Sequence, residues 1–509
     1  MLKDLKILGR ESVIYGLSTA AARFLNFLLL PFYTHYLTTS EYGIVGAVFA
    51  YIAFLNIVYQ YGMDQAYMRY FSPEGSRTEV PDCVDSVRPK PTEFGCLGRP
   101  DERFSTPFWA LAATSALFSL GLALGAPFMA SAAGVGEGSS QAVRWAAAVL
   151  ALDALVLLPF AHLRMQHRPW FFASVRIASI TVNVAANIVF VGLAGMGING
   201  VFLAAVCASA ASLLFLIPVF RENLRPFFSK SMFSAMLRFG LPLVPAGLGA
   251  MAVQVIDRPI LLRMTDSATV GIYQANYRLG IIMMLAVGMF DQAWRPFFLE
   301  RAGRPDAGRL FGRVLTYFTL GGTWLVMALS FFMPEFVSIK IGGTHLIHQS
   351  YWPGLKVVPV VLAAYLFYGL YINFMVSIVI SKRTDILAWT TFLGAGVNIA
   401  CNLLMIPRWG MMGAAWATFL AYLAMACALY LSGRKIYPVP YEYGRLACIA
   451  ASSAAVLAAV YLASGASGTL WILSRIAALL AFPLLLLPAG FFSRGEKEVL
   501  GRLLGLGKV

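Results

Sequence analysis

The chain has 509 residues, of which 59% are hydrophobic and 12% charged, and it carries a net charge of +15. Soluble proteins have about 25% charged residues, so this composition excludes a soluble globular domain and requires a lipid environment for the surplus apolar side chains. The positive charges stand in short segments between apolar stretches. No basic patch with interleaved aromatics accompanies them, which argues against nucleic-acid binding.

Near the N-terminus, basic residues precede an apolar run that begins at Ser12. This run passes through Ala20–Ala22, which resembles a signal-peptidase site, and continues to Pro31. The whole stretch is long enough to cross a bilayer, so we expect a first transmembrane helix and not a cleaved signal.

Fourteen apolar stretches approach the length of about 20 residues that a helix needs to span the hydrocarbon core. They predict helices over 12–34, 42–63, 107–131, 142–163, 173–194, 198–220, 240–263, 270–293, 312–334, 354–380, 386–406, 411–432, 445–463 and 469–491. The stretches are continuous and lack the alternation of a membrane barrel, which predicts an all-α integral membrane protein.

Lysine and arginine are distributed unevenly between the two sides of these spans. With the N-terminus inside, the predicted outer loops hold only Lys340 and Arg408, whereas the inner segments carry most of the positive charge. The positive-inside rule then places both termini in the cytoplasm and requires an even number of spans.

One tripeptide, Asp-Gln-Ala, closes both the second and the eighth predicted span. It occupies 64–66 and 291–293, and each copy is followed by an arginine and aromatic residues. Gly43 and Gly271, each followed by isoleucine, open the same two spans. The match indicates an internal repeat with the same element order.

A second match extends the repeat. The segment 182–187 returns at 397–402, with two asparagines in each copy. The offsets differ by 12 residues, and the loop 72–105 is the place for an insertion in the first copy. Each copy then contains six helices in the same orientation, related by an axis along the membrane normal. The predicted parts are an N-terminal lobe 1–220, a cytoplasmic linker 221–239, a C-terminal lobe 240–432, and an extra helix pair with a tail over 433–509.

Several short segments resemble the polysaccharide transporter family, the oligosaccharide repeat-unit flippases of the multidrug/oligosaccharidyl-lipid/polysaccharide (MOP) exporter superfamily. The most specific are Leu30-Pro31-Phe32-Tyr33, Glu41-Tyr42-Gly43, Tyr61-Gly62-Met63-Asp64, Phe239-Gly240-Leu241-Pro242-Leu243-Val244-Pro245, Asp257-Arg258, Val270-Gly271-Ile272-Tyr273 and Ile406-Pro407-Arg408-Trp409-Gly410. The resemblance covers nearly the whole chain and implies two six-helix lobes facing each other, related by a pseudo-two-fold axis, plus two C-terminal helices. The loop 72–105 departs from the family by its length.

The resemblance also implies a function. Such proteins are flippases that move undecaprenyl-pyrophosphate-linked oligosaccharides from the cytoplasmic to the outer leaflet of the bacterial inner membrane, by alternating access, for surface polysaccharides such as O-antigen. The expected partners are this lipid-linked sugar, membrane lipid, and a polysaccharide polymerase and glycosyltransferases. A transporter of this kind has no enzymatic activity and needs no cofactor.

Ionisable side chains inside a span are costly and are therefore candidates for function. Arg23 stands in the first predicted span, Arg258 in the seventh and Arg278 in the eighth. A guanidinium stays charged and matches phosphate oxygens with a planar fork, so we expect these three to bind the substrate pyrophosphate in a cavity. A structural role in helix pairing is the alternative.

Further polar residues in the spans are candidates for ion coupling or helix pairing: Asp257, Asp153, Asn183, Asn187, Asn398 and Asn402. The asparagines recur four residues apart on one helix face, which favours hydrogen bonds between helices over contact with sugar hydroxyls. Adjacent residues on a helix point about 100° apart, so we expect Asp257 and Arg258 to pair with other helices and not with each other. Arg475 stands near the end of a span and is expected to snorkel.

The sequence argues against two other kinds of site. Cys83 and Cys96 lie among acidic residues in the loop 72–105, but their spacing is not that of a zinc site and the loop has no histidine. The chain has no Walker A motif, so we expect no nucleotide hydrolysis. Two alternative functions remain at this point: a cation-coupled multidrug exporter of the same superfamily, and a membrane polysaccharide polymerase or ligase.

Overall fold

The computed structural model of the chain describes residues 24, 25, 27–70, 100–463, 469–487 and 491, without the side chains of 100–102 and 137. Three predictions lie outside these residues: the role of Arg23, the start of the first span, and the loop with Cys83 and Cys96.

Helices account for most of the described residues. The first, α1, covers the described residues from 24 to 36. The others are α2 Thr39–Gln60, α3 Met63–Tyr70, α4 Pro100–Leu124, α5 Ala126–Ala132, α6 Ser140–Met165, α7 Pro169–Asn187 with a π-helical continuation Ile188–Leu193, α8 Gly197–Phe215, α9 Ile217–Asn223, α10 Lys230–Gly240, α11 Leu243–Val255, α12 Asp257–Met264, α13 Ser267–Leu279, α14 Ile281–Arg301, α15 Ala307–Ser338, α16 Val358–Ile380, α17 Thr384–Trp409, α18 Met411–Ile436, α19 Tyr443–Leu462 and α20 Thr469–Leu485.

The predicted all-α membrane architecture is confirmed. Within the described residues, ten helices are long and apolar enough to cross a membrane, or up to twelve if each of two bent pairs forms one span. Helix α20 is apolar but shorter. These helices coincide with the predicted spans from the second to the fourteenth, because each apolar stretch must pair its own backbone groups in lipid.

Helices α11 and α12 cover most of the predicted seventh span, 240–263, and α10 covers the end of the predicted linker before it. Helix α10 is bent by 42° against α11, with Pro242 at the break, and a second break at Ile256 separates α11 from α12. Proline supplies no backbone donor and disrupts the preceding turn, which explains the first break. The breaks place the backbone ends of α11 and α12 in the middle of a span.

Two short strands occur in the predicted outer loop between the ninth and tenth spans, where no strand was expected. β1 Lys340–Ile341 pairs antiparallel with β2 Thr344–His345. Gly342 and Gly343 form the turn with φ values of 60° and 88°, which glycine adopts without strain. A 3₁₀ helix, Gln349–Val357, follows the hairpin and leads into α16.

Backbone contacts divide the chain into two packing units. The first comprises the described residues within 1–278, 347–354 and 391–418, and the second those within 279–346, 355–390 and 419–509. Each unit has a core of its own. The boundaries of the two repeat-related lobes were inferred from sequence and stay a prediction.

The core of the first unit collects aromatic side chains from the ends of several helices. Tyr67, Phe104 and Phe160 are buried there with Met63 and Met236. The Tyr67 hydroxyl lies 2.6 Å from Nδ1 of His162, so two polar groups inside this apolar cluster form a hydrogen bond with each other.

The core of the second unit joins α15 to the C-terminal helices. Phe331, Val456 and Phe482 are buried together with Phe491. Arg475 lies against this cluster with 3% of its surface exposed. Its guanidinium forms a bidentate ion pair with Glu335 and also donates to the carbonyl oxygen of Phe331. The expectation that Arg475 snorkels was therefore wrong, because a carboxylate from α15 neutralises it inside the unit.

Candidate functional site

Asp257 and Arg258 begin α12, immediately after the break at Ile256. Asp257 is 1% and Arg258 6% exposed, so the break carries a buried charge pair. The carboxylate stands in the first turn of α12, where a negative charge is favourable. The backbone N–H of Arg258 donates to Asp257 Oδ1 at 2.9 Å.

The two neighbouring side chains also pair with each other. Arg258 Nη1 lies 3.2 Å from Asp257 Oδ1. The expectation that adjacent residues would point apart was wrong here, because Asp257 is the first residue of a new helix and the Arg258 side chain folds back over it. The further expectation of partners on another helix agrees with the contacts of both residues.

Helix α13 supplies those partners. The Tyr273 hydroxyl donates to Asp257 Oδ2 at 2.5 Å, and Arg258 Nε donates to Gln274 Oε1 at 2.5 Å. Arg258 also donates to the carbonyl oxygen of Gln254 at 2.7 Å and lies 4.6 Å from the ring centroid of Tyr277. Arg258 is thus held by neutral and charged groups from α11, α12 and α13.

Arg278 lies one turn beyond this cluster, at the end of α13 and two residues before the break at Gly280. Its side chain is half-buried. Its guanidinium carbon lies 5.6 Å from the ring centroid of Tyr42, in a cation–π arrangement. Among the described residues, no carboxylate pairs with Arg278 and no hydrogen bond engages its guanidinium. Arg278 is therefore a cation in an apolar span, and the described residues supply no counter-ion for it.

The aromatic ring beneath Arg278 is itself firmly packed. Tyr42 is fully buried, and its ring centroid lies 5.9 Å from those of Tyr33 and of Tyr351. The Tyr42 hydroxyl is buried and has no hydrogen-bond partner among the described residues. Tyr351 belongs to the 3₁₀ helix and is fixed at both ends: its hydroxyl donates to Leu37, and its carbonyl oxygen accepts from Asn276 at 2.8 Å.

Helices α2 and α13 touch at repeat-related positions next to Tyr42. A Cβ atom added to Gly43 would lie 1.7 Å from the carbonyl oxygen of Ser267, and one added to Gly271 would lie 1.8 Å from that of Thr39. The hydroxyls of Ser40 and Ser267 are 2.5 Å apart. The two glycines predicted as repeat partners therefore bring the two helices into backbone contact, which places Arg278 over Tyr42.

The asparagine pairs bond within their own helices. Asn187 Nδ2 donates to the Asn183 carbonyl oxygen at 2.8 Å, and Asn402 Nδ2 does the same with Asn398 at 2.8 Å. The pairs differ in one contact: the Tyr33 hydroxyl donates to Asn187 Oδ1 at 2.9 Å, whereas Asn402 Oδ1 is buried without a partner in the described residues. Only the bond from Tyr33 to Asn187 joins two helices. The roles of the four asparagines in helix pairing or in sugar binding stay a prediction.

Asp153 lies on α6 and bonds across to α8. The Ser209 hydroxyl donates to its carboxylate at 2.7 Å. Such a contact serves helix pairing, and ion coupling at Asp153 stays a prediction. In the described residues, no group of three or more histidine, cysteine or acidic side chains could hold a metal ion.

The predicted site residues do not all lie in one place. The structure brings Asp257, Arg258 and Arg278 close together on consecutive helices, but Asp153 and the asparagines lie on other helices of the first unit. Tyr42 and Gln274 were not predicted as site residues. The signal for Tyr42 was present in the sequence, since it directly precedes the repeat glycine Gly43.

Comparisons with known proteins agree with this architecture. A family model described as polysaccharide biosynthesis protein matches residues 8–301, more than half of the chain. A search of curated proteins gave no match.

Several solved structures share the fold. A structure titled lipid II flippase MurJ, inward closed conformation, matches with a TM-score of 0.70 and 13% identity, covering 97% of this chain and 99% of that one. An inward-facing multidrug resistance MATE family transporter of the MOP superfamily has a TM-score of 0.60 at 12% identity, covering 83% and 94%. The Vibrio cholerae MATE transporter VcmN, in a mutant form, has a TM-score of 0.52 at 12% identity, covering 85% and 96%. The chain belongs to the polysaccharide biosynthesis protein family, and it has the fold of the MOP superfamily.

Proposed function

We propose that the protein is a flippase that moves undecaprenyl-pyrophosphate-linked oligosaccharides from the cytoplasmic to the outer leaflet of the bacterial inner membrane by alternating access. The single observation that carries the proposal is Arg278, a half-buried guanidinium at a helix break that has no counter-ion in the described residues. A cation in this state is ready to pair with an anionic group that enters the span.

The chemistry of the substrate fits this residue. A pyrophosphate offers oxygens that a guanidinium bonds in a bidentate manner, and the low dielectric of a span strengthens the attraction. Family membership supports a saccharide cargo, and the MurJ structure that shares the fold is titled a lipid II flippase. The prenyl tail stays in lipid, so only the head group needs a polar path.

Arg258 and Arg23 complete the proposed anion site. Arg258 is already engaged by Asp257 and Gln274, so its proposed contribution is a guanidinium held in place for the pyrophosphate, while Arg278 supplies the unpaired charge. One arginine leaves much of a pyrophosphate charge uncompensated, and several cations around it avoid that cost. Asp257, buried between Arg258 and Tyr273, is the proposed ion-coupling residue.

The orientation proposed from the lysine and arginine distribution places both termini in the cytoplasm. Glycosyltransferases that build the lipid-linked sugar and a polymerase that uses it are the proposed partners. The multidrug exporter is the competing function, because MATE transporters share the fold. Arg278 argues against it, since a cation without a counter-ion in the described residues repels the cationic compounds that such an exporter would carry.

The test is export of surface polysaccharide in a strain that lacks its own repeat-unit flippase. We expect the wild-type chain to restore export, Arg278→Ala to abolish it, and Arg278→Lys to restore it partly because lysine lacks the bidentate fork. Arg309→Ala, which changes an exposed arginine of α15, serves as the control and should behave as wild type.

Membrane protein level must be equal in all strains. Normal export by Arg278→Ala would contradict the anion site. Drug resistance conferred by the wild-type chain, without restored polysaccharide, would contradict the flippase and favour the multidrug exporter.

A further inference from the structure

An apolar pocket of about 390 Å³ lies in the first packing unit, and its lining reaches Ile256, the residue that precedes Asp257. Helices α2, α4, α5 and α6 line it together with the seventh span, to which Ile256 and Arg263 belong. Its volume is within the range of ligand pockets, which is about 300–1,000 Å³. Nearly all of its lining side chains are apolar, and Arg263 is the one cation among them.

The lining residues of the pocket are spread along two of the spans. Val48, Ile52 and Leu55 line it from α2, at positions that lie on one helix face. On the seventh span, the lining residues Ile256 and Arg263 are seven residues apart, about 10 Å along a helix. The lining therefore extends over about two helical turns of the seventh span, with Arg263 at the C-terminal end of this stretch.

The cationic end coincides with the ends of the spans. Arg263 precedes the last residue of α12, Met264, and its guanidinium donates to the carbonyl oxygen of Ala132, the last residue of α5. Helix ends of transmembrane spans lie at the level of the lipid head groups. These ends are opposite to the arginine-rich segments, so the positive-inside rule assigns them to the outer leaflet.

Arg263 has donors left for an anion. The side chain is exposed, and it contacts the Ala132 carbonyl and the Tyr51 hydroxyl. Among the described residues, no carboxylate forms an ion pair with it. A guanidinium carries five N–H donors, so neutral contacts to two oxygens leave its charge unbalanced.

We infer that this pocket binds an anionic phospholipid of the outer leaflet, with an acyl chain between α2 and the seventh span and the phosphate on Arg263. The apolar lining suits a hydrocarbon chain, and the cation at the head-group level suits the phosphate. The lipid contacts α2, α5 and α6 on one side and α12 on the other, so it links the broken seventh span to the helices before it. The inference does not depend on the transported substrate.

The experiment measures lipid binding to the purified full-length protein by native mass spectrometry, with phosphatidylglycerol and phosphatidylcholine as probes. We expect phosphatidylglycerol to bind in preference to phosphatidylcholine. Arg263→Gln should weaken phosphatidylglycerol binding about ten-fold or more, as expected for a lost charge-assisted hydrogen bond. Arg263→Lys should keep most of it.

Two controls separate the charge from the pocket. Arg144→Gln removes an exposed arginine of α6 and should leave binding unchanged. Ala133→Phe fills the pocket, whose lining includes Ala133, and should reduce binding, whereas Ala194→Phe at the exposed end of the π-helical segment should not. Equal thermal midpoints without added lipid show that the variants are folded.

Three outcomes would overturn the inference. If wild type and Arg263→Gln each bind the two lipids equally well, the site does not recognise the anionic head group. Inorganic phosphate that competes as well as the lipid would show a simple anion site. Undecaprenyl phosphate that binds this pocket when phosphatidylglycerol does not would assign it to a prenyl lipid instead.

Discussion

Arg258 and Arg278 stand on neighbouring helices of the same packing unit, and each lies beside a break in a transmembrane span. Arg258 is 6% exposed and bonds to Asp257, Gln274 and a backbone carbonyl. Arg278 is half-buried, lies against the ring of Tyr42, and has no ion pair among the described residues. The same residue type at a similar place along a broken span is thus neutralised in one case and available in the other.

The difference shows that a charged residue inside a span can serve either the stability of the fold or the function. A buried charge is tolerated when a partner and hydrogen bonds replace water, and removing one partner is then strongly destabilising. A charge inside a span that has no partner contributes little to stability, and it is therefore a candidate for a functional role. Comparing the stability effects of substitutions at the two arginines therefore tests their assignment directly.

The largest effect on stability is expected for Arg258→Ala. The substitution leaves the Asp257 carboxylate buried without its cation, which costs about 3 to 5 kcal/mol of unfolding free energy. The thermal midpoint in detergent and the membrane level should both fall. The double variant Asp257→Asn with Arg258→Gln should recover much of the loss, because no unpaired charge remains. An unchanged midpoint for Arg258→Ala would show that the pair is not structural.

A smaller loss of stability is expected for Gly43→Ala, which disturbs the contact between α2 and α13 beside Tyr42 and Arg278. The new Cβ would overlap the carbonyl oxygen of Ser267, at 1.7 Å, so α2 and α13 must separate. We expect a cost of about 1 to 3 kcal/mol, typical of overpacking. Gly288→Ala is the matched control, because no atom lies within 4 Å of its added Cβ. Equal thermal midpoints for the two variants would contradict the helix contact.

A loss of about 1 to 2 kcal/mol is expected for Tyr33→Phe. The substitution keeps the ring against Tyr42 but removes the hydroxyl that donates to Asn187 Oδ1 at 2.9 Å. Tyr36→Phe removes an exposed hydroxyl of the same helix and should have no measurable effect on the thermal midpoint. If the two variants melt together, the Asn187 contact adds nothing to stability.

The smallest effect on stability is expected for Arg278→Ala, even though its effect on export should be large. The variant loses a cation–π contact with Tyr42, worth less than about 1 kcal/mol at a partly exposed site. Its thermal midpoint should therefore stay close to that of the wild type, while that of Arg258→Ala falls. A midpoint lowered as far as that of Arg258→Ala would mean that Arg278 is also structural.

Much of the fold was predictable because it depends on properties that a sequence carries locally. Apolar length marks each span, and Pro242 marks the bend between α10 and α11. Gly43 and Gly271 were recognised as repeat partners, but their close contact was not predicted. The hairpin formed by β1 and β2 was missed because two-residue strands leave almost no pattern.

The candidate site was predictable only in part. Charges inside spans identified Asp257, Arg258 and Arg278, but not their partners. Gln274 and Tyr273 belong to the neighbouring helix, 16 residues further along the chain, so the sequence pattern does not predict their contacts with Arg258 and Asp257. Arg475 shows the same limit: its partner Glu335 is 140 residues away in sequence.

The sequence by itself determined that the protein spans a membrane and where most of its spans lie. These follow from the apolar length of each segment and from the need to satisfy its backbone in lipid. The tertiary structure alone decided which charges are neutralised, because pairing requires side chains from different helices to meet within hydrogen-bond distance. It joined Asp257 to Tyr273 and Arg475 to Glu335, and it left Arg278 above Tyr42 without a counter-ion in the described residues.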